Sequence, residues 1–215
     1  MEIIKARELN VFDNIQVDVS FSITMGEIAS ICGESYEKDL LFDFLTFKRK
    51  VKPDTLFYNN FDYSLFQKTD ITELMVSDVK VVSDINTLFS FLSIRDNILA
   101  PEYVNRKVID YSYFDEILTS LNYDLPQTNV SNLNKLDRIK VEIIRALMSK
   151  PFVIFLNNVD KSLSKEDLAI LSSFITSINN IYHITFIIFT NNFDFSRIAS
   201  RRIYFESNSF VEFSE

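Results

Sequence analysis

Glycine is unusually scarce here: 215 positions hold two, Gly26 and Gly33. Average usage of roughly 7% would give about 15. Loops that cradle phosphate use glycine because the backbone must approach the anion closely and adopt positive φ. The chain can therefore build at most one such glycine position per loop. A single cysteine, Cys32, excludes an internal disulfide framework. Long apolar runs are missing too. The longest, Phe152–Leu156 and Ile184–Phe189, fall far short of the roughly 20 residues that span a bilayer. The N-terminus, Met-Glu-Ile-Ile-Lys-Ala-Arg-Glu, carries charges through its apolar residues, unlike a secretory leader. Basic residues are the minority, 22 against 30 acidic, giving a formal net charge of −8. With no Lys/Arg run, that excess argues against nucleic-acid binding; with neither a leader nor a spanning run, the chain is expected to be cytosolic.

Hydrophobic residues make up 47% of the sequence, enough for a sizeable core. Strands are expected at 2–7 and 16–24, the second alternating through Val17, Val19, Phe21 and Ile23. Met25-Gly26-Glu27 reads as a tight turn, and Ile28–Cys32 as a buried strand ending at Gly33. A helix over about 37–48 has Leu40, Leu41, Phe44 and Leu45 on one face. Short strands follow at 55–58 and 78–82, with Pro101 expected to close the segment that starts near Leu88. Amphipathic helices are expected over 109–122 and 135–149, a doubly buried strand over 152–156, a helix over 165–178 and a second buried strand over 184–189. A short helix over 194–199 precedes two strands near 202–205 and 209–213. This strand–helix alternation implies an α/β fold with a parallel sheet. The 50–135 region reads as mostly helical, a subdomain on that core. There is no repeat and no clear linker.

Order and spacing resemble the ATP-binding subunit of ABC transporters over nearly the whole chain. Phe21-Ser22-Ile23-Thr24-Met25-Gly26-Glu27-Ile28 resembles the strand–turn–strand before that family's phosphate loop. Leu92-Ser93-Ile94-Arg95-Asp96-Asn97-Ile98 is similar to the segment after its glutamine loop. Ile143-Ile144-Arg145-Ala146-Leu147, Pro151 and the 152–156 strand resemble the signature helix and the Walker B strand. Ile184–Thr190 and Arg201–Phe213 resemble the switch strand and the closing hairpin. The resemblance implies a P-loop NTPase-like core of ABC ATPase type, with an antiparallel β subdomain and a helical subdomain over about 85–150. The whole of 1–215 would then be one ABC ATPase-like domain.

At the positions that touch nucleotide, the residues depart from the family. The phosphate loop G-x-x-G-x-G-K-[ST] wraps phosphates in backbone N–H groups, with Lys and a hydroxyl on phosphate and Mg²⁺. Here Gly33-Glu34-Ser35-Tyr36-Glu37-Lys38-Asp39 keeps only Gly33 and Lys38. Glu34, Glu37 and Asp39 would cap the helix themselves and repel a triphosphate. The signature stretch is Leu133-Asn134-Lys135-Leu136-Asp137, without glycine; Asn134 is expected to cap the following helix. The Mg²⁺-binding Asp and the water-activating Glu are replaced by Asn157 and Asn158. An amide binds a hard cation weakly and is no general base. Asp160 is expected to cap the next turn. The switch histidine is Asn191, the glutamine-loop position is Asp84, and Phe12 falls where the family stacks a ring on adenine. His183, the only histidine, lies before the switch strand and reads as an exposed loop residue.

The resemblance thus implies a catalytically degenerate cassette subunit without intrinsic ATPase activity. It would need no cofactor of its own, with ATP and Mg²⁺ held only by a partner. Its partners would be an intact ABC ATPase subunit and a membrane permease, which would place it at the inner face of the cell membrane. Leu88, Phe89, Phe91 and Leu92 are candidates for permease docking. The alternative is a free-standing interaction or regulatory scaffold that reuses the fold without nucleotide.

Overall fold

The computed structural model describes residues 1–11, 18–33, 36–105, 108–206 and 209–214. Phe12, Val17, Glu34 and Ser35 lie outside them. In chain order the elements are β1 (Glu2–Asn10), β2 (Asp18–Thr24), β3 (Ile28–Cys32), α1 (Tyr36–Leu45), β4 (Leu56–Tyr58) and β5 (Phe61–Asp62). A 3₁₀ turn (Tyr63–Leu65) leads to α2 (Lys68–Ser77), β6 (Val79–Ser83), α3 (Ile94–Val104), α4 (Tyr111–Ser120) and α5 (Lys135–Leu147). The chain continues through β7 (Val153–Asn157), α6 (Lys165–Tyr182), β8 (Thr185–Thr190), α7 (Phe193–Ser196), β9 (Arg201–Glu206) and β10 (Ser209–Ser214).

Two sheets organise these elements. The first is antiparallel, in the order β2-β1-β4-β5; the second has the order β10-β9-β3-β8-β7-β6. In the second, β3 lies parallel to both β8 and β9, and β7 parallel to both β6 and β8; only β10 runs antiparallel. Strands buried on both faces need apolar residues at every position, and β3 and β8 are buried throughout. Alternation then sorts the side chains. Ile154, Leu156, Phe186 and Ile188 face a core shared with the helices α3 to α7. Val153, Phe155, Ile187 and Phe189 face a second core shared with α1 and the antiparallel sheet. In that second core the Phe42 ring meets Phe155 and Phe189 edge-on, with centroids 6.4 and 5.1 Å away.

Four expectations need correction. Residues 50–83 are not mostly helical: they hold β4, β5, the 3₁₀ turn, α2 and β6. Helix α1 stops at Leu45, because Phe47 takes a positive φ of 62°. Pro101 does not close its segment; it lies inside α3, which runs on to Val104. Its carbonyl still accepts the Asn105 N–H at 3.0 Å, so only the hydrogen bond that Pro101 itself cannot donate is lost. Helix α6 also runs a turn past the expected end, to a left-handed cap at the exposed His183.

Gly33 follows β3 with φ of +142°, and a β-carbon there would sit 2.4 Å from the Phe205 carbonyl oxygen of β9. Only glycine permits both the dihedral and this close crossing of backbones. Its position at the end of β3 fixes where the chain turns into α1.

Candidate functional site

The C-terminal ends of parallel strands are where open α/β sheets place their sites. Here the ends of β3, β8, β7 and β6 converge on the N-terminus of α1, the 158–164 loop and the N-terminus of α5. Lys38, in the first turn of α1, is 2% exposed, although an isolated ammonium in that setting is costly. Its Nζ donates to the Asn191 side-chain oxygen just beyond β8. Burial holds its pKa below the ordinary lysine value, against the opposing pull of Asp39, Cys32 and Asp160. Asp39, one residue on, is exposed.

Asp160 is 7% exposed. It does not cap the next turn, as the sequence suggests. Its carboxylate accepts from the Thr190 hydroxyl and its own backbone N–H, and lies within electrostatic reach of Lys38 and Lys135. Its Oδ1 has no hydrogen-bond partner among the described residues. Burial pushes its pKa up, with Thr190 and the two lysines pulling the other way. At the end of β3 burial also pushes the Cys32 thiol up to about 11, so it stays protonated and unreactive at neutral pH.

Raising the folded-state pKa of an acid penalises its ionised form. The native state is then relatively more stable once the proton is on, and loses that advantage as pH rises through the folded pKa. Asp160→Asn should therefore raise the melting temperature at pH 7.5. The gain should shrink as the solution becomes acidic and the wild-type carboxyl takes up its own proton. Thermal scans of both proteins across that range check the sign.

The remaining candidates lie around this pair. Asn157 ends β7 and Asn158 follows with φ of 54°; the Asn158 amide donates to the Asn157 side-chain oxygen at 3.1 Å. Main-chain bonds fix both residues, from Asp84 N–H to Asn157 O (3.2 Å) and from Asn158 N–H to Phe189 O (2.8 Å). Asp84 forms an ion pair with Lys161 at 3.7 Å, and Arg138 donates to its carbonyl at 3.3 Å. Asn134 caps α5 by accepting the Asp137 N–H at 2.8 Å, a contact worth about 1 kcal/mol. Leu136 is buried, and Leu133 packs half-buried on the same core. Lys135, next to the cap, donates its ammonium to the Lys161 carbonyl. Burial lowers its pKa, opposed by Asp84. An open cleft of about 520 Å³ runs beside the cluster, between the 160–163 loop and residues 191–194.

Gly33, Lys38, Asp84, Lys135, Asn157, Asn158 and Asn191 thus gather at one end of the sheet. Ser35 lies outside the described residues. Sequence reading missed Lys161, Arg138 and Thr190, and took Asp160 for a cap. Nothing in the sequence separates a buried aspartate from a capping one at that spacing; the first apolar hint is Val159 before it, itself fully buried.

The docking candidates divide. Leu88 is in the core and Leu92 is half-buried, while Phe89 and Phe91 are 44% and 81% exposed with ring centroids 5.6 Å apart. The buried Asn97 shapes their turn. It accepts the Phe89 N–H at 2.7 Å and donates to the carbonyls of Phe89 (3.0 Å), Leu92 (3.3 Å) and Ser93 (3.0 Å).

The sequence matches no protein-family model, and no curated protein matches it. Solved structures are similar. One is cbiO1 from Clostridium perfringens, part of the ABC transporter complex cbiONQ. Its TM-score is 0.87 at 19% identity, over 99% of this chain and 88% of that one. Another is the dimeric bacterial ABC transporter cassette MJ0796, at 0.77 and 17%, over 98% of both chains. The post-hydrolysis form of MJ0796 bound to ADP and Pi gives 0.77 at 15% identity, again over 98% of both chains. At these identities the likeness is one of fold. The chain has the α/β fold of ABC transporter ATP-binding cassettes, with the antiparallel sheet and the helices that its sequence resemblance implied.

Proposed function

We propose that this chain is a catalytically degenerate cassette subunit of an ABC transporter-type complex. In that complex it works beside an intact ATPase subunit and a membrane permease, at the cytoplasmic face of the membrane. The observation that carries the reading is the fate of Lys38. Its ammonium is buried and bound to the Asn191 amide, with the Asp160 carboxylate nearby. The chain's own side chains occupy the charge that would meet a phosphate.

The site does not fit Mg²⁺ and ATP. Asn157 and Asn158 offer amides where a hard cation needs carboxylates and an attacking water needs a base. The buried Asp160 adds negative charge beside the phosphate-loop lysine. At the signature position, Lys135 is tied to the Lys161 carbonyl and Leu136 fills the core instead of leaving backbone open. Phosphoryl transfer depends on positioning and charge neutralisation, and neither group of residues supplies them.

Cassette sites are composite, built from one subunit's phosphate loop and another's signature. A pair of these chains would therefore hold no competent site, and ATP would sit only on the phosphate loop of an intact partner. The exposed Phe89–Phe91 pair is the surface assigned to the permease. Among the described residues no helix is long and apolar enough to cross a membrane, so the attachment proposed is through that partner. The purified chain is expected to hydrolyse ATP at the background rate, unchanged by Lys38→Ala. A steady rate that this substitution abolishes would sink the reading.

A further inference from the structure

Away from the strand ends, a cleft of about 580 Å³ opens between α2 and the turn that follows β5. β5 is an edge strand of the antiparallel sheet. Phe61 and Leu65, on one wall, are 66% and 71% exposed. Contiguous exposed apolar surface marks interaction sites, and both of these side chains line the same cleft. The other wall is α2, whose Asp70, Glu73, Leu74 and Ser77 share one face at helical spacing. No residue of this ten-residue helix is buried, and Lys68, Thr69, Asp70, Thr72 and Glu73 are exposed.

The charge along the cleft has one sign. Asp62, Asp70, Glu73 and Asp78 line it, and among the described residues no lysine or arginine does. Two of these carboxylates are held in place by main-chain donors. Asp62 accepts from the N–H groups of Asp54 (2.9 Å) and Ser64 (2.8 Å), and Asp70 from that of Gln67 (2.8 Å). Asp62 and Asp70 therefore border the apolar floor in fixed positions.

We propose that this cleft docks a basic amphipathic helix presented by another polypeptide. Apolar side chains on one face of that helix would cover Phe61, Leu65 and Leu74. Lysines or arginines flanking them would meet Asp62, Asp70, Glu73 and Asp78. The length suits the fit: α2 spans about 15 Å, matching three turns of a partner helix. A strand added to β5 fits less well, because that edge is two residues long. The proposal is independent of whether the chain handles nucleotide, and its surface is separate from Phe89 and Phe91.

The test uses two labelled synthetic 14-residue helical peptides with the same leucine stripe, one flanked by lysines and the other by glutamates. Fluorescence anisotropy against the full chain is expected to show saturable binding of the lysine peptide and none of the glutamate peptide. Affinity should fall several-fold between about 50 and 300 mM salt, as rim charges are screened. Glu73→Lys and Leu65→Ser should each weaken binding about tenfold or more, and Glu116→Lys, on the exposed face of α4, should leave it unchanged. The Glu73 side chain makes none of the described hydrogen bonds, only its carbonyl accepting from Ser77, so Glu73→Lys remains informative if Leu65→Ser fails to fold. Three results would overturn the proposal: no binding of the lysine peptide, equal weakening by Glu116→Lys, or self-association of the chain that Glu73→Lys abolishes.

Discussion

Gly33→Ala is expected to cost about 4 kcal/mol, summing backbone strain and an overpacked contact. Two effects act together. A φ of +142° is closed to an L side chain, and the new β-carbon would lie 2.4 Å from the Phe205 carbonyl oxygen. That neighbour is backbone of β9, which is paired to β3 and β10 and cannot swing aside. For a chain of this size each kcal/mol shifts the melting point by about 2–4 °C, so a fall of roughly 8–16 °C is expected. Gly26→Ala is the control. Its β-carbon would find its nearest neighbour, the His183 carbonyl oxygen, at 3.4 Å, leaving mainly the cost of its φ of +78°. A loss of about 1 kcal/mol is expected there. Thermal unfolding of the two variants should rank them in that order. The same glycine that resembles the start of a phosphate loop is thus needed for the crossing of β3 and β9, whether or not a phosphate is ever bound.

The parallel sheet was legible because burial on both faces writes itself as unbroken apolar runs. Ile28–Cys32, 152–156 and 184–189 read as strands for that reason, and the structure buries every one of these residues except Phe152, which is 44% exposed. The Asn134 cap was equally plain, since a short polar side chain before an amphipathic stretch has a local job. Helix α2 lies in the region read as mostly helical, but the sequence gives it no bounds of its own. With no fully buried residue it lacks a clear apolar stripe, and its neighbours in the second core, Ile71, Leu74 and Met75, are only half-covered. Pro101 was misread because a proline inside a helix costs a hydrogen bond that tertiary packing of Ile98, Leu99 and Ala100 can offset.

At the site, the family resemblance pointed to Lys38 and to the amides Asn157, Asn158 and Asn191. It could not show where the charges point. That Lys38 turns to Asn191, that Asp160 is buried beside Thr190, and that Lys135 reaches the Lys161 carbonyl depend on how loops from four elements fold over the strand ends. These contacts separate an open phosphate site from one whose charges are already engaged.

The second large effect concerns nucleotide affinity. A site with micromolar affinity gains about 8 kcal/mol on binding, and a millimolar one about half that. To reach the higher figure here, triphosphate would have to release Lys38 from Asn191, approach the Asp160 carboxylate and recruit Mg²⁺ without the aspartate or the glutamate. Each step adds cost in a poorly hydrated setting. Isothermal titration of the purified chain with ATP and Mg²⁺ is the direct measurement. The account predicts no saturable heat up to about 1 mM nucleotide, in the wild type and in Lys38→Ala alike. Saturable micromolar binding that Lys38→Ala removes would contradict it.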